Sequence, residues 1–399
     1  MPTLSRRDAA ALLLAAGAFA RDLPPASAEG SSEMALLAAG LWREAAAAGV
    51  SRSTFDAAFA GLTPDPKVLA LAGRQGEFSR PISAYVGDAA SASRIAQGRA
   101  LAGRWAPNLA AIEAREGVPP EIVLAIWAME SGYGAATGGF NTVRSLATQA
   151  FSGERADFFR RELVAALVIL QRENMPSARM TGSWAGATGQ PQFMPSSFVK
   201  YAQDGDGDGR CDIWGSVPDV LASIGHFLAQ EGWRRGLPWG VEVRLPAAAD
   251  ISLHERPFPD WARLGVARPD GRPLPSGTGR LFLPAGIGGP AFLLTENWEA
   301  IRAYNTSDSY ALGIGHLADR IAGRGALSKR WPTTPALTGE QRREVHRRLA
   351  ALGFYDGLQD GKFGARTRDA VRRFQLSRAL TPDGYADAGL IVALRDGSP

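Results

Sequence analysis

The segment EIVLAIWAMESGYG, residues 121–134, restricts the fold before any other part of the chain is considered. Ile122, Ile126 and Glu130 recur at helical spacing and share one stripe, which predicts a helix with its apolar face in a core. Two prolines before the segment favour a helix start, and its first glycine favours a helix end. We therefore expect a core helix that carries a carboxylate in its last turn.

A carboxylate is unfavourable at this position because the helix dipole places partial negative charge at the C-terminal end. An apolar setting would disfavour the charge further and raise the pKa of Glu130. Positions that break two local rules at once are expected at functional sites, so Glu130 is a candidate functional residue. The alternative is a partly exposed Glu that reaches solvent past the helix end.

The N-terminus has the layout of an export signal. An arginine pair at 6–7 precedes an apolar run over 9–20, and small residues at 26–28 offer a cleavage site, which together predict a twin-arginine signal over 1–28. The run is too short to stay in a membrane as a permanent anchor. Since Cys211 is the single cysteine, we expect neither an intrachain disulfide nor a lipidated cysteine. The prediction is a soluble periplasmic protein with no stable membrane anchor.

The remaining pattern predicts a mainly α fold of the α+β class. The 399 residues are 45% hydrophobic and 21% charged, as in ordinary globular proteins. Helical patterns dominate from about 33 to 233 and return after 298, whereas short apolar runs at 241–245, 281–283 and 292–294 predict a small strand-containing subdomain. Further on, the sequence WPTTP is typical of a semi-rigid linker, and the tail after it contains three helical patterns.

A glycine-rich segment at 182–197 is the second candidate functional feature. Its small residues allow close approach of a ligand to the backbone. Ser183, Gln190 and Gln192 can hydrogen-bond hydroxyls and acetamides, and Phe193 can stack on a sugar ring. The alternative is a tight turn between helices.

The sequence DGDGDGRCD at 204–212 matches the opening of a calcium-binding loop, because closely spaced carboxylates repel unless a cation neutralises them. Position twelve of such a loop should be Glu and is Gly215 here. Asp219 is a substitute ligand or, equally, the N-cap of the next helix. A solvated acidic turn without an ion is the alternative. The predicted calcium-binding residues are Asp204, Asp206, Asp208, Arg210 and Asp219.

A fourth, weaker feature is the sequence YNTSDSY at 304–310, whose tyrosines and asparagine around a helix break are suited to a carbohydrate cleft. Other chemistries have little support. The four histidines lack zinc-site spacing, and the chain contains neither a phosphate-binding loop nor a serine-hydrolase elbow.

In this order, the glutamate, the glycine-rich segment, the aspartate loop and the YN motif resemble the membrane-bound type B family of lytic murein transglycosylases, over about 34–322. The resemblance implies a lysozyme-like helical catalytic domain, Glu130 as the catalytic acid and the aspartate loop as a structural calcium site. It also implies substrate-binding roles for Tyr85, Ser183, Gln192, Phe193, Tyr304, Asn305 and Tyr310.

The tail resembles a type 1 peptidoglycan-binding domain, through motifs such as GFYDG at 353–357 and TPDG at 381–384. Val371 and Phe374 are expected to pack its core. The predicted organisation is an export signal at 1–28, a catalytic domain at 29–330, a linker at 331–336 and a peptidoglycan-binding domain at 337–399.

Most glycosidases need two carboxylates, whereas only Glu130 is convincing here. The resemblance implies that Glu130 acts as acid and then as base, so that the muramoyl C6 hydroxyl attacks C1 and leaves a 1,6-anhydro end. The predicted partner is the peptidoglycan glycan strand. A hydrolytic muramidase or a non-catalytic peptidoglycan-binding protein is the alternative. A nucleic-acid partner is not expected, since the net charge is only +4.

Overall fold

The structure, a computed structural model, describes residues 28–72, 81–152, 155–333 and 335–397, so the export signal predicted at 1–28 lies outside the described residues except for its last position. The helices, in chain order, are α1 Ala28–Ala47, α2 Arg52–Phe59, α3 Pro66–Ala72, α4 Ile82–Ala89, α5 Ala92–Arg104, α6 Ala106–Glu116, α7 Pro120–Ser131, α8 Thr142–Ser152, α9 Ala156–Arg172, α10 Pro195–Tyr201, α11 Val217–Gln230, α12 Phe258–Arg263, α13 Asn297–Tyr304, α14 Asp308–Ile321, α15 Gly339–Ala351, α16 Ala365–Ser377 and α17 Ala388–Asp396. The strands are β1 Phe140–Asn141, β2 Thr181–Gly182, β3 Gly240–Val243, β4 Glu255–Pro257, β5 Thr278–Phe282 and β6 Ala291–Leu294.

These elements confirm the prediction of a mainly helical chain with a small β-containing part. The chain forms two compact units: the first combines the described residues up to 72 with Ala92–Glu231, and the second combines 81–91 with 232–397. Within the described part of the chain, none of the helices combines the length and the apolar character that a membrane crossing requires.

Helix α7 lies at the centre of the first unit. It begins at Pro120 and ends at Ser131, as its flanking residues predicted. Every residue from 122 to 128 is at most 3% exposed, and the helix packs against α5, α6 and α11. The prediction that only one face of α7 lies in the core is therefore wrong for residues 122–128. All faces of this part of the helix are apolar and buried.

The second unit contains an antiparallel sheet in the order β3-β6-β5-β4. The three predicted strands correspond to β3, β5 and β6, and their inward residues form a core with Phe258 and Trp261. Sequence analysis missed β4, whose residues are charged or proline and mostly exposed. This composition is typical of an edge strand, which lacks the apolar alternation of a buried one.

The C-terminal part of the second unit has a separate apolar core. Helices α15, α16 and α17 contribute to this core, and Val371 and Phe374 are buried in it as expected. His346 is also buried: its Nδ1 accepts a hydrogen bond from the Gly361 N–H, and its Nε2 lies 3.0 Å from the Thr367 hydroxyl. Burial lowers the pKa of His346, which favours the neutral ring that this pairing needs.

In the first unit, the chain after α7 is held close to the glycine-rich segment by a short two-stranded ladder. Strand β1 pairs with β2, with Phe140 opposite Gly182. Just before β1, Gly138 has a φ of 87°, and a Cβ there would lie 2.1 Å from the Gly182 carbonyl oxygen. No side chain fits at position 138, because both the backbone conformation and the close approach exclude it.

We predict that Gly138→Ala lowers the free energy of unfolding by more than about 2 kcal/mol. The adjacent Gly139→Ala is the matched control, since a Cβ there meets no atom within 4 Å. Thermal and urea unfolding of the two variants measure the difference. Equal stability of the two variants would show that this close approach is absent in solution.

Candidate active site

The end of α7 places Glu130 in a closed environment. The side chain of Glu130 is only 4% exposed, so the alternative of a glutamate reaching solvent is wrong. Gly132 ends the helix in the left-handed conformation, and its N–H donates to the Ala128 carbonyl at 2.9 Å. Tyr133 follows with a φ of 60°, which is unusual for a residue other than glycine. Ser131 stabilises this turn, because its hydroxyl oxygen accepts from the Gly134 N–H at 3.0 Å.

A buried hydrogen-bond chain joins α7 to the glycine-rich segment. Trp127 Nε1–H donates to Gln190 Oε1 at 2.9 Å, and the Gln190 amide donates to the Trp214 carbonyl at 3.0 Å. A Cβ at Gly134 would lie 2.5 Å from Gln190 Oε1, so glycine is required there. Gln190 is a candidate for sugar hydrogen bonds by residue type. In the structure its side chain instead joins α7 to the chain segment that contains Trp214. Sequence analysis could not predict this role, because the partners lie 63 and 24 positions away.

Gln192 has a different environment, because one of its polar atoms is left without a partner. Its Nε2 donates to the Thr137 carbonyl at 2.9 Å and to the Gly189 carbonyl at 2.7 Å. Its Oε1 is buried and has no hydrogen-bond partner among the described residues. A buried acceptor left unpaired is costly, and a ligand that donates a hydrogen bond would remove this cost. Ser183 is also buried, and its hydroxyl oxygen accepts from the Ala187 N–H at 3.1 Å.

Phe193 does not have the position that sequence analysis gave it. Its side chain is 2% exposed and packs against Tyr201 and Phe227, with ring centroids 6.4 and 5.8 Å apart. A ring enclosed in this way has no free face for a sugar, so the structure does not support the stacking prediction. Phe193 instead anchors the glycine-rich segment in the core of the first unit.

The other predicted substrate-binding residues lie in the second unit. Tyr304 ends α13, Asn305 follows it, and Tyr310 lies in the first turn of α14; all three are at most 9% exposed. Tyr85 on α4 packs against α14, where a Cβ at Gly313 would lie 3.1 Å from its ring. Helix α14, which carries Tyr310, therefore packs against both α4 with Tyr85 and α13 with Tyr304.

Glu162, which no sequence pattern singled out, is a second buried carboxylate among the described residues of the first unit. Glu162 on α9 is 5% exposed and accepts hydrogen bonds from the Ser196 N–H at 2.9 Å and the Ser196 hydroxyl at 2.7 Å. It thus caps the start of α10, where unpaired N–H groups favour a negative charge. Asp219, also buried in the described part of this unit, accepts from two backbone N–H groups, those of Gly205 and Asp212.

The aspartate loop brings three carboxylates close together. Ligand atoms of Asp204, Asp206 and Asp219 lie within 4.8 Å of one another. Among the described residues, Asp208 is outside this group, and its carboxylate accepts from the Arg210 N–H at 2.9 Å. Burial raises the pKa of Asp219 although backbone N–H groups donate to it. A nearby positive charge would therefore stabilise the ionised carboxylate. The donor set fits a hard, oxygen-preferring cation.

Two alternatives for this loop are decided by the structure. Ser216, not Asp219, is the N-cap of α11, since its hydroxyl oxygen accepts from the Asp219 N–H. Asp219 is the third residue of α11, and its carboxylate is directed to the aspartate loop. Arg210 can supply only its backbone carbonyl to a cation, because its guanidinium is a donor and donates to the Glu173 carbonyl. Burial raises the pKa of the Cys211 thiol to about 11, so Cys211 remains a thiol rather than a thiolate ligand.

Two family models match the chain. The transglycosylase SLT domain model matches residues 34–319, and a peptidoglycan binding domain model matches residues 338–394. The chain is 30% identical over 209 residues to membrane-bound lytic murein transglycosylase B of Escherichia coli (strain K12). This alignment covers 52% of the chain and 58% of that relative, so the chain matches little more than half of the relative's length.

Solved structures extend the similarity to most of the chain. SltB3 from Pseudomonas aeruginosa, in complex with NAG-anhNAM-pentapeptide, is 44% identical with a TM-score of 0.84, covering 91% of this chain and 99% of SltB3. SltB3 has also been solved with NAG-NAM-pentapeptide. The Escherichia coli lytic transglycosylase Slt35 in complex with calcium is 25% identical with a TM-score of 0.60, covering 73% of this chain and 92% of Slt35.

Proposed function

Because the chain belongs to the family of transglycosylase SLT domain proteins, we propose that it is a lytic transglycosylase that cleaves peptidoglycan glycan strands. The bond broken is the one that joins N-acetylmuramic acid to N-acetylglucosamine, and the product is a 1,6-anhydromuramoyl end. The peptidoglycan fragments bound to the similar SltB3 support this substrate and this product. The C-terminal peptidoglycan binding domain supports the same substrate.

Glu130 performs both proton transfers in this reaction. It first donates a proton to the glycosidic oxygen, so that the bond from this oxygen to muramoyl C1 breaks and N-acetylglucosamine leaves with a hydroxyl group. The Glu130 carboxylate then takes the proton of the muramoyl C6 hydroxyl while this oxygen bonds to C1. Glu130 ends protonated as it began, and no water is consumed. Burial suits the first step, because it disfavours an ionised carboxyl.

The single observation that carries the proposal is that, among the described residues of the first unit, the buried carboxylates other than Glu130 have structural roles. Glu162 caps α10, and Asp219 accepts hydrogen bonds from the aspartate loop. A hydrolase needs a second carboxylate to activate water or to act as a nucleophile. Both residues are engaged with backbone N–H groups in the structure. A one-carboxylate mechanism, in which the substrate supplies the nucleophile, agrees with this arrangement.

Neutral side chains of the glycine-rich segment bind the sugar. The unpaired Oε1 of Gln192 accepts a hydrogen bond from a sugar hydroxyl or from an acetamide N–H. Ser183 presents a hydroxyl that is oriented by the Ala187 N–H. Such groups orient the glycan but cannot deprotonate water, which agrees with a non-hydrolytic reaction. Tyr85, Tyr304, Asn305 and Tyr310 remain predicted substrate contacts from the second unit.

The cell compartment follows from the substrate and from the predicted export signal. Peptidoglycan lies outside the cytoplasmic membrane, and the arginine pair and apolar run at the N-terminus have the pattern of an exported chain. We therefore place the working enzyme in the periplasm.

Calcium has a structural role in this proposal. Asp204, Asp206 and Asp219 would hold the ion, and the calcium complex of the similar Slt35 supports its identity. The ion would offset two of the three negative charges of these carboxylates, so it would contribute to stability rather than to proton transfer. The proposal assigns it no step in the reaction.

We expect Glu130→Gln to lower turnover by at least about a thousandfold, because an amide of the same shape cannot deliver a proton. Glu121→Gln, the same exchange at the start of α7, is the control and should keep wild-type turnover. Release of soluble muropeptides from purified sacculi measures the difference, and circular dichroism checks folding. Near wild-type turnover in folded Glu130→Gln would exclude Glu130 as the acid.

Digestion in heavy-oxygen water separates the transglycosylase from a hydrolase. We expect anhydro-muramoyl ends without heavy oxygen, one water lighter than reducing ends, because the C6 hydroxyl and not water attacks C1. Mass spectrometry of the products measures both properties. A parallel digestion of the same sacculi with a hydrolytic lysozyme is the control, since its products incorporate the label. If labelled reducing ends predominate, the enzyme is a muramidase.

Calcium should stabilise the metal-depleted protein by up to about 3 kcal/mol when the free ion is at about a hundred times its Kd. The melting temperature should rise accordingly. Asp206→Asn should reduce this shift, since the variant removes one of the three carboxylates. Asp360→Asn, in an exposed Asp-Gly turn of the tail, is the control and should keep the full shift. Scanning calorimetry with and without calcium measures the effect, and equal shifts in both variants would mean that the ion binds elsewhere.

A further inference from the structure

Asp308, the first residue of α14, is held by two arginines from different parts of the second unit. One carboxylate oxygen lies 3.1 Å from Arg302 Nε on α13, and the other lies 2.6 Å from Arg368 Nη1 on α16. The Asp308 side chain is 10% exposed and the Arg368 side chain 24% exposed. Ion pairs this well enclosed are less screened by water and salt than surface pairs, so breaking one has a larger effect.

Asp308 belongs to a turn that carries predicted substrate-binding residues. Within this turn the Asn305 side-chain oxygen accepts from the Ser307 N–H at 3.1 Å, and Ser307 Oγ accepts from the Tyr310 N–H at 3.4 Å. Arg302 donates to the Thr306 carbonyl at 3.2 Å. Asn305 and Tyr310 thus share this hydrogen-bonded turn with Asp308, whose carboxylate forms ion pairs with Arg302 and Arg368.

Arg368 comes from the C-terminal domain and not from the turn itself. Its guanidinium lies over the ring of Phe282 in β5, 5.0 Å from the centroid. The same domain contacts the loop after β5, where the Ile287 N–H donates to Asp383 at 3.2 Å. A Cβ at Gly286 in this loop would lie 2.9 Å from Asp383 Oδ2, so the two surfaces approach closely. The C-terminal domain is therefore docked on the sheet and on the start of α14.

We propose that Arg368 is a positioning residue for the reaction: the C-terminal domain, through the Arg368–Asp308 ion pair, fixes the turn that presents Asn305 and Tyr310 to the glycan. This inference rests on the proposed function for its effect on turnover, whereas its effect on the turn does not depend on any activity. It gives the C-terminal domain a second role besides attachment to the cell wall. The linker sequence alone predicts only a tethered module.

The first test is hydrogen–deuterium exchange on the full chain, read at the amides of Ser307 and Tyr310. Arg368→Gln should raise exchange there about tenfold or more, because the turn loses its outer ion pair. Arg368→Lys keeps the positive charge and should restore part of the protection. Arg366→Gln, at an exposed position two residues before Arg368 on the same helix, is the matched control and should leave exchange unchanged. Amides of α16 report whether the C-terminal domain itself stays folded.

Turnover provides the second test. On soluble glycan chains, Arg368→Gln should lower kcat about tenfold, since a small misplacement of substrate-binding groups costs this much. Arg366→Gln should keep wild-type kcat, and pull-down by sacculi should be the same for both variants. Asp308→Asn combined with Arg368→Gln should be no worse than the more damaging single variant, because the two residues act as one pair.

The outcomes separate this inference from the proposed function. Unchanged exchange at the turn in Arg368→Gln, with α16 still protected, overturns the positioning role, and so do additive losses in the double variant. Wild-type kcat in Arg368→Gln overturns it as well. If the wild-type chain releases no anhydro-muramoyl product at all, the proposed function fails, while the exchange comparison still decides whether Arg368 holds the turn.

Discussion

The candidate site depends on the complete enclosure of α7. A helix that is apolar on every side must be surrounded by other helices, and α5, α6 and α11 provide this packing. Enclosure also makes every polar group on the helix expensive unless it is paired. Trp127 meets this requirement by donating to Gln190, and this hydrogen bond joins the helix to the glycine-rich segment. The same enclosure leaves Glu130 only 4% exposed to water.

Two buried carboxylates among the described residues of the first unit support the fold. Glu162 and Asp219 each accept hydrogen bonds from backbone N–H groups at a helix start or in a loop. Such bonds satisfy the charge and hold the residue in place. Gln192 adds a neutral polar group to the glycine-rich segment, with a buried Oε1 that has no hydrogen-bond partner among the described residues.

The C-terminal domain shows how an attachment module can also affect a reaction. Its core is formed by its own three helices, which suits an independent domain. Its Arg368, however, pairs with Asp308 at the start of α14, next to the predicted substrate-binding residues. The energy of this contact comes from a partly enclosed ion pair and from packing over Phe282. Through Arg368, helix α16 thereby links the proposed cell-wall-binding domain to the turn at the start of α14.

The sequence by itself determined the helical class, the bounds of α7, three of the four strands of the larger sheet and the motifs that contain Glu130 and the aspartate loop, since these depend on local periodicity, prolines and glycines. Tertiary structure alone decided that Gln190 is a tether, that Phe193 lies in the core, that Ser216 caps α11 and that Glu162 caps α10. It also decided the Arg368–Asp308 pair, whose residues are 60 positions apart. Local patterns record which face or turn a residue prefers, but burial and hydrogen-bond partners depend on segments that only folding brings together.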